Sequence, residues 1–316
     1  MEFVKIKSQF NINNALEDNL LNILSYLSYH DLYVLYISLF NTSHNTLYKV
    51  LNSFLQQYTI DEFKIVRHNS RHSFNIKYYL CTVYNKLKWI SFLKIKVNKL
   101  SIDIDCDDYI SNDSILLNNI ANLLFIIPYK SIYICGGIVI DDIIEIILIN
   151  LTHALNNSAL SNTLVELHLN DIPKIEEDYF KEWPVLNNIE AIKITSCIVP
   201  FDCSISDLLM RIPNVEYIHI SNRTQLNWSN IIINNIELIL PQLKHLTLEN
   251  AFIDDALREI YCPNLTKFIL INSYAIDGIT RVFNMIKNLQ MVGIYFDENT
   301  PNINITKLFN RLFNLN

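Results

Sequence analysis

The chain has 316 residues, 50% of them hydrophobic and 18% charged, with a formal net charge of −7 and a mean hydropathy of +0.18. That apolar content excludes a disordered polymer, and an acidic chain without a basic run exerts no general pull on nucleic acid. Four glycines (Gly136, Gly137, Gly278 and Gly293) stand against 50 isoleucines and 40 asparagines; no G-x-G-x-x-G, G-x-x-x-x-G-K or G-x-S-x-G occurs, which excludes phosphate-loop and nucleophile-elbow chemistry.

Met1-Glu2-Phe3-Val4-Lys5 has no basic flank leading into an apolar core, so no secretory leader is expected. Ser114–Tyr129 is apolar but shorter than a span of about 18–20 residues, and it holds Asn118, Asn119 and Asn122. Gly137–Leu151 is interrupted by Asp141, Asp142 and Glu145. Both read as buried helices, with no membrane partner. Cys81, Cys106, Cys135, Cys197, Cys203 and Cys262 form no C-x-x-C, so no zinc or other cofactor is expected. Scattered thiols fit a reducing compartment, cytoplasmic or nuclear.

In chain order, the first expected unit is helical and spans 10–57. Leu16, Leu20, Leu21, Ile23, Leu24 and Leu27 form one apolar stripe. Ser28 and Asp31 then match a capping box. Leu32, Leu35, Tyr36 and Leu39 form a second helix, and Leu47 to Leu55 a third. Residues 58–94 read as a helical linker.

From 95 to 316 a repeat runs. Ile189/Ile192/Ile194/Cys197/Val199 fits L-x-x-L-x-L-x-x-C-x-L. The register recurs at Leu164/Leu167/Leu169, Val215/Ile218/Ile220, Leu243/Leu246/Leu248, Leu265/Phe268/Leu270 and Leu289/Val292/Ile294. Weaker matches lie upstream at Val97/Leu100/Ile102 and Tyr129/Ile132/Ile134. Between these short strands the spacing turns helical at Ile143–Leu155, Ile205–Ile212, Ile232–Leu240 and Ile279–Ile286. Pro213, Pro241 and Pro263 mark the turns into strands, and Asn222, Asn250 and Asn272 the turns out of them. Ile305, Leu308, Phe309, Leu312 and Phe313 outline a terminal capping helix. The expected fold class is α/β: an N-terminal helical unit, then a solenoid with parallel strands on its concave face and helices on its convex face. An ordinary α/β domain is the alternative.

The repeat resembles the leucine-rich repeat. Leu16 to Asn41 resembles an F-box, with Leu16, Leu20, Leu21, Ile23, Leu24, Ser25, Tyr26, Leu27, Ser28, Asp31 and Leu32 in register. It departs at Glu17 and Asn19, where the family carries proline and glutamate, and it lacks the family's Trp. F-box proteins with C-terminal leucine-rich repeats are a known family. The resemblance implies a non-catalytic substrate-recognition subunit of a Skp–cullin–F-box ubiquitin ligase. The F-box would bind a Skp-type adaptor and through it a cullin complex; the repeats would hold a protein substrate. It implies adaptor-binding roles, shared with the local core, for Leu16, Leu20, Leu21, Ile23, Leu24, Leu27, Asp31, Leu32 and Leu35. The alternative is a non-catalytic scaffold in another intracellular complex.

Strand alternation places the substrate face. His168, Lys193 and His219 hold equivalent places on successive strands, with Tyr217, His245 and Lys267 beside them. The expectation is a cation-leaning, aromatic-edged patch suited to an acidic or phosphorylated segment; the alternative is a solvated face on which imidazoles merely fit. Other motifs carry no chemistry. His68 and His72 are flanked by Arg67 and Arg71, which repel a cation. Asp103–Asp108 lacks the glycine and glutamate of a calcium loop. Gly136-Gly137 lacks the Lys and Ser/Thr of a phosphate nest.

Overall fold

Helix α1 (Asn14–Ser25) and helix α2 (Tyr29–Leu39) meet at the turn the sequence marks. Asp31 N–H donates to Ser28 Oγ at 3.2 Å, and Ser28 N–H donates back to Asp31 Oδ2 at 3.2 Å. The reciprocal pair satisfies two helix-end donors, so Ser28 starts α2. Helix α3 (Thr46–Gln57) packs on both. This computed structural model describes residues 14–40, 46–66, 76–103, 114–136, 141–157, 159–173, 175, 179–197, 205–222, 231–232, 238–253, 260–272, 274–275 and 290–295. The expected helices at 279–286 and 305–313, and His68, His72, Asp105–Asp108 and Gly137, lie outside the described residues.

Beyond α3 come strand β1 (Thr59–Val66), α4 (Ile76–Leu93), β2 (Lys96–Asp103), α5 (Ser114–Ile126), β3 (Ser131–Cys135), α6 (Asp141–Asn157), α7 (Leu160–Thr163) and β4 (Glu166–Asn170). A 3-10 turn at Tyr179–Glu182 leads to β5 (Ala191–Cys197), α8 (Ile205–Arg211) and β6 (Tyr217–Asn222). Short strands β7 (Ile231–Ile232) and β8 (Leu238–Ile239) precede β9 (His245–Glu249). The last are β10 (Ala251–Ile253), β11 (Ile260–Tyr261), β12 (Lys267–Ile271), β13 (Tyr274–Ala275) and β14 (Met291–Tyr295).

Nine strands form one parallel sheet in chain order, β1-β2-β3-β4-β5-β6-β9-β12-β14. The molecule is therefore a mixed α/β protein whose neighbouring strands are joined by crossovers. The apolar quartets align in register. Phe63, Leu100, Ile132, Leu167, Ile192, Ile218, Leu246 and Phe268 form one buried row, and Ile65, Ile102, Ile134, Leu169, Ile194, Ile220, Leu248 and Leu270 a second. These rows share one core with apolar residues of α2 to α6 and α8. Truncating one such leucine to alanine costs about 2–5 kcal/mol. Two smaller parallel sheets, β13-β10-β7 and β11-β8, lie alongside.

Two sequence readings need correction. Residues 58–94 are not a purely helical linker, because β1 pairs with β2 and extends the sheet. Phe63 and Ile65 are buried while Lys64 between them is exposed, which is strand period. The helix expected over Ile232–Leu240 is also absent where described: Ile231–Ile232 and Leu238–Ile239 are short strands. In an isoleucine-rich run the 3–4 spacing arises without a helix, and β-branched residues favour strands.

The turns show how so few glycines suffice. Asp171 (φ 49), Ser196 (φ 54), Asn250 (φ 53) and Asn272 (φ 47) adopt left-handed backbone at or just after the ends of their strands. Asn and Asp tolerate this region better than other non-glycine residues. Asn222 instead stays in β6, paired with Cys197. Gly136 holds the matching place after β3, where an added Cβ would lie 2.8 Å from the Asp171 carbonyl oxygen. Asparagine also ties the turns into the strands. Asn188 Nδ2 donates to Asn162 O (2.7 Å), Asn214 Nδ2 to Asn187 O (2.9 Å) and Asn264 Nδ2 to Pro241 O (2.8 Å).

Ring contacts join the N-terminal helices to the sheet unit. Tyr29 meets Phe63 at 6.2 Å, and Tyr33 meets Trp89 of α4 edge-on at 5.3 Å. Among the described residues no helix is long and apolar enough to cross a membrane.

Candidate functional site

Side chains that alternate with the buried rows form the opposite face of the sheet. In one row Lys99, Ser131, Glu166, Ala191, Tyr217, His245, Lys267 and Met291 stand on successive strands. In the next, Ser101, Tyr133, His168, Lys193, His219, Thr247 and Ile269 do the same. All six residues expected at the substrate face, His168, Lys193, Tyr217, His219, His245 and Lys267, therefore lie together on it, each half-buried. Over β2 to β6 the face is hollowed into a cavity of ≈ 520 Å³ lined by Lys99, Tyr133, Glu166, His168, Lys193 and Tyr217, among others. Ala191, the smallest side chain in its row, fills least of this hollow.

Aromatic and polar contacts hold these groups. His168 meets Tyr133 edge-on at 4.8 Å, and its Nε2 lies 3.0 Å from Thr195 Oγ1. Thr195 donates onward to Asn170 Oδ1 at 2.7 Å. Tyr217 meets His245 at 4.6 Å, and the Lys193 ammonium lies over the Tyr217 ring at 5.2 Å. His219 Nε2 is 4.0 Å from Glu249 Oε2, too far for a hydrogen bond, and has no other partner among the described residues.

Burial and neighbouring cations act on the imidazoles of this face. Burial, then Lys193, His219 and Lys99, push the His168 imidazole down to about 4. Burial also lowers His219, with Lys193 adding to the effect and Glu249 opposing it. Burial, Lys267 and His219 lower His245. All three imidazoles are therefore neutral at pH 7, and the positive charge of the expected patch is confined to Lys193 and Lys267. The sequence displays the imidazoles but not their desolvation. At the β1–β2 end, Glu62 bridges Lys64 at 2.8 Å and Lys99 at 3.0 Å. Lys64, with Ser101 and Lys99, holds the Glu62 carboxyl down at about 2. Sequence reasoning missed Tyr133, although it alternates with the buried Ile132 and Ile134 on a strand it had marked.

The second surface lies on α1 and α2. Of the nine residues given adaptor roles, Leu24 (2% exposed) and Leu32 (0%) belong to the core. Leu20, Leu21, Leu27 and Leu35 are partly buried against it. Asp31 is exposed and forms the capping box; the Leu16 side chain lies outside the described residues. Of those whose side chains are described, Ile23 alone is an exposed apolar group, at 59%. It is accompanied by Tyr26 (78%), Val34 (49%), Ile37 (52%) and Phe40 (52%), which the sequence reading did not assign.

Among the described residues no group of three His, Cys, Asp or Glu side chains is placed to hold a metal ion. Comparison of the chain with models of known protein families finds no match, and neither does comparison with curated proteins.

Proposed function

We propose that the chain is a substrate receptor of a Skp–cullin–F-box ubiquitin ligase. In this reading α1 and α2 are an F-box-like docking pair, the sheet is the strand layer of a leucine-rich-repeat solenoid, and its open face holds a protein substrate. The observation that carries the reading is the exposed apolar set Ile23, Tyr26, Val34, Ile37 and Phe40 on a helix pair with a capped turn. Five large apolar side chains exposed along and just after two consecutive short helices supply the apolar area that an adaptor would cover. The chain-ordered parallel sheet, with its polar and aromatic face, supplies a second surface that does not share those residues.

A receptor of this kind forms and breaks no covalent bond. It holds adaptor and substrate at once and raises the local concentration of substrate lysines near a charged ubiquitin carrier. Its place of action is the cytoplasm or nucleus. The test is co-elution of the full chain with a purified Skp-type adaptor, followed by addition of cullin. Co-elution with both supports the reading. Adaptor without cullin redirects it to a non-catalytic scaffold, and co-elution with neither removes it.

A further inference from the structure

Lys193 and Lys267 are the two cations of the expected patch, and neither has a carboxylate within ion-pair distance among the described residues. Between them the floor is neutral at pH 7. The Lys193 ammonium is drawn over the Tyr217 ring at 5.2 Å, and Tyr217 stands in the same row as His245 and Lys267. Strands lie about 4.8 Å apart, so from the Tyr217 position to Lys267 is about 10 Å, and from β5 to β12 about 14 Å. An extended chain advances about 3.3 Å per residue, so three to four residues bridge that gap. Met291 follows Lys267 in the row on β14 and is 44% exposed, adding an apolar contact beyond the second cation. Acidic groups flank the path: Glu166 stands on β4, before the Lys193 strand, and Glu249 on β9 beside His219. Discrete cations held apart by neutral rings do not match a dense polyanion.

We infer that this face recognises an extended peptide segment that crosses the strands and carries two carboxylate side chains three to four residues apart, with an apolar residue after the second. The inference rests on the reading of the open face as the substrate surface and adds the chemistry of what it selects. Lys193 takes the first carboxylate and Lys267 the second, while the Tyr217–His245 pair supports the uncharged residues between. Glu166 repels an acidic residue placed before the first carboxylate, and Glu249 one placed between the two.

The test is fluorescence anisotropy on the full chain with the labelled peptide Gly-Ser-Asp-Val-Thr-Val-Asp-Leu-Gly. Its controls are a scramble with adjacent aspartates and a version with both aspartates replaced by asparagine. At neutral pH the spaced peptide binds about two- to fivefold tighter than the scramble, the range of one solvent-screened ion pair. Lys193→Met and Lys267→Met each weaken it by a similar factor, and added salt narrows the difference. Both lysines project from the polar face, and the circular dichroism of each variant checks that it folds. Equal binding of spaced and adjacent peptides, no binding, or unchanged affinity in both lysine variants overturns the inference. If those results come with intact capture of the Skp-type adaptor, the receptor reading stands and only this specificity falls; loss of both removes the two together.

Discussion

Acidification tests the electrostatics of the sheet face through His168. Its imidazole has a neighbour at Thr195 Oγ1, 3.0 Å away, and is pushed down to about 4 from an ordinary value of 6.5. A depressed folded value means that the unfolded chain binds the proton first. The stability linked to His168 is therefore fully present above about 6.5 and is lost as pH falls toward about 4. At pH 5 the unfolded imidazole is mostly protonated and the folded one mostly neutral, a linkage of about 2 kcal/mol without screening. The ring is only partly shielded, and solvent screening brings this to about 1 kcal/mol. The assay is urea unfolding of the wild type and His168→Gln at pH 7.5 and pH 5.0. The wild type should lose about 1 kcal/mol more than the variant between the two conditions. An equal loss in both proteins refutes the assignment of a half-buried neutral imidazole.

Other perturbations have separate readouts. Leu32→Ala empties a fully buried site in α2 and should cost about 2–5 kcal/mol in chemical denaturation. Gly136→Ala places a Cβ 2.8 Å from the Asp171 carbonyl and 3.2 Å from Pro173, and should lower stability by about 1–3 kcal/mol. Ser28→Ala removes the reciprocal cap of α2 and should cost about 1 kcal/mol, read as a lowered Tm. Asn214→Ala removes the hydrogen bond that the side-chain amide donates to the Asn187 carbonyl at an exposed turn, and a loss of about 1 kcal/mol or less is expected.

The strands were legible where the sequence repeats itself. Ile192/Ile194, Ile218/Ile220 and Leu246/Leu248 alternate with polar residues, and their burial pairs them in register. The turn into α2 was legible because Ser28 and Asp31 stand at the spacing a capping box requires. Strand β1 was not, because Asp61-Glu62 breaks the alternation between Ile60 and Phe63, and only pairing with β2 reveals it. The run from Ile231 to Leu240 misled because seven of its ten positions are apolar, so helical and strand periods both fit. The positions of His168, Lys193 and His219 followed from register. Their charge did not, since burial and neighbouring ammonium groups decide it and neither is written in spacing. On α1 and α2 an apolar stripe does not say which leucines face inward; packing assigns Leu24 and Leu32 to the core and leaves Ile23, Val34 and Ile37 outside.

The most direct test is the affinity of the full chain for an immobilised Skp-type adaptor, measured beside a Val34→Asp/Ile37→Asp variant. Both side chains are about half exposed, at 49% and 52%, so the double change should leave the fold intact. The account predicts saturable binding by the wild type and its loss in the variant, with unfolding curves that superimpose. Absence of wild-type binding, or equal binding by both proteins, contradicts the account.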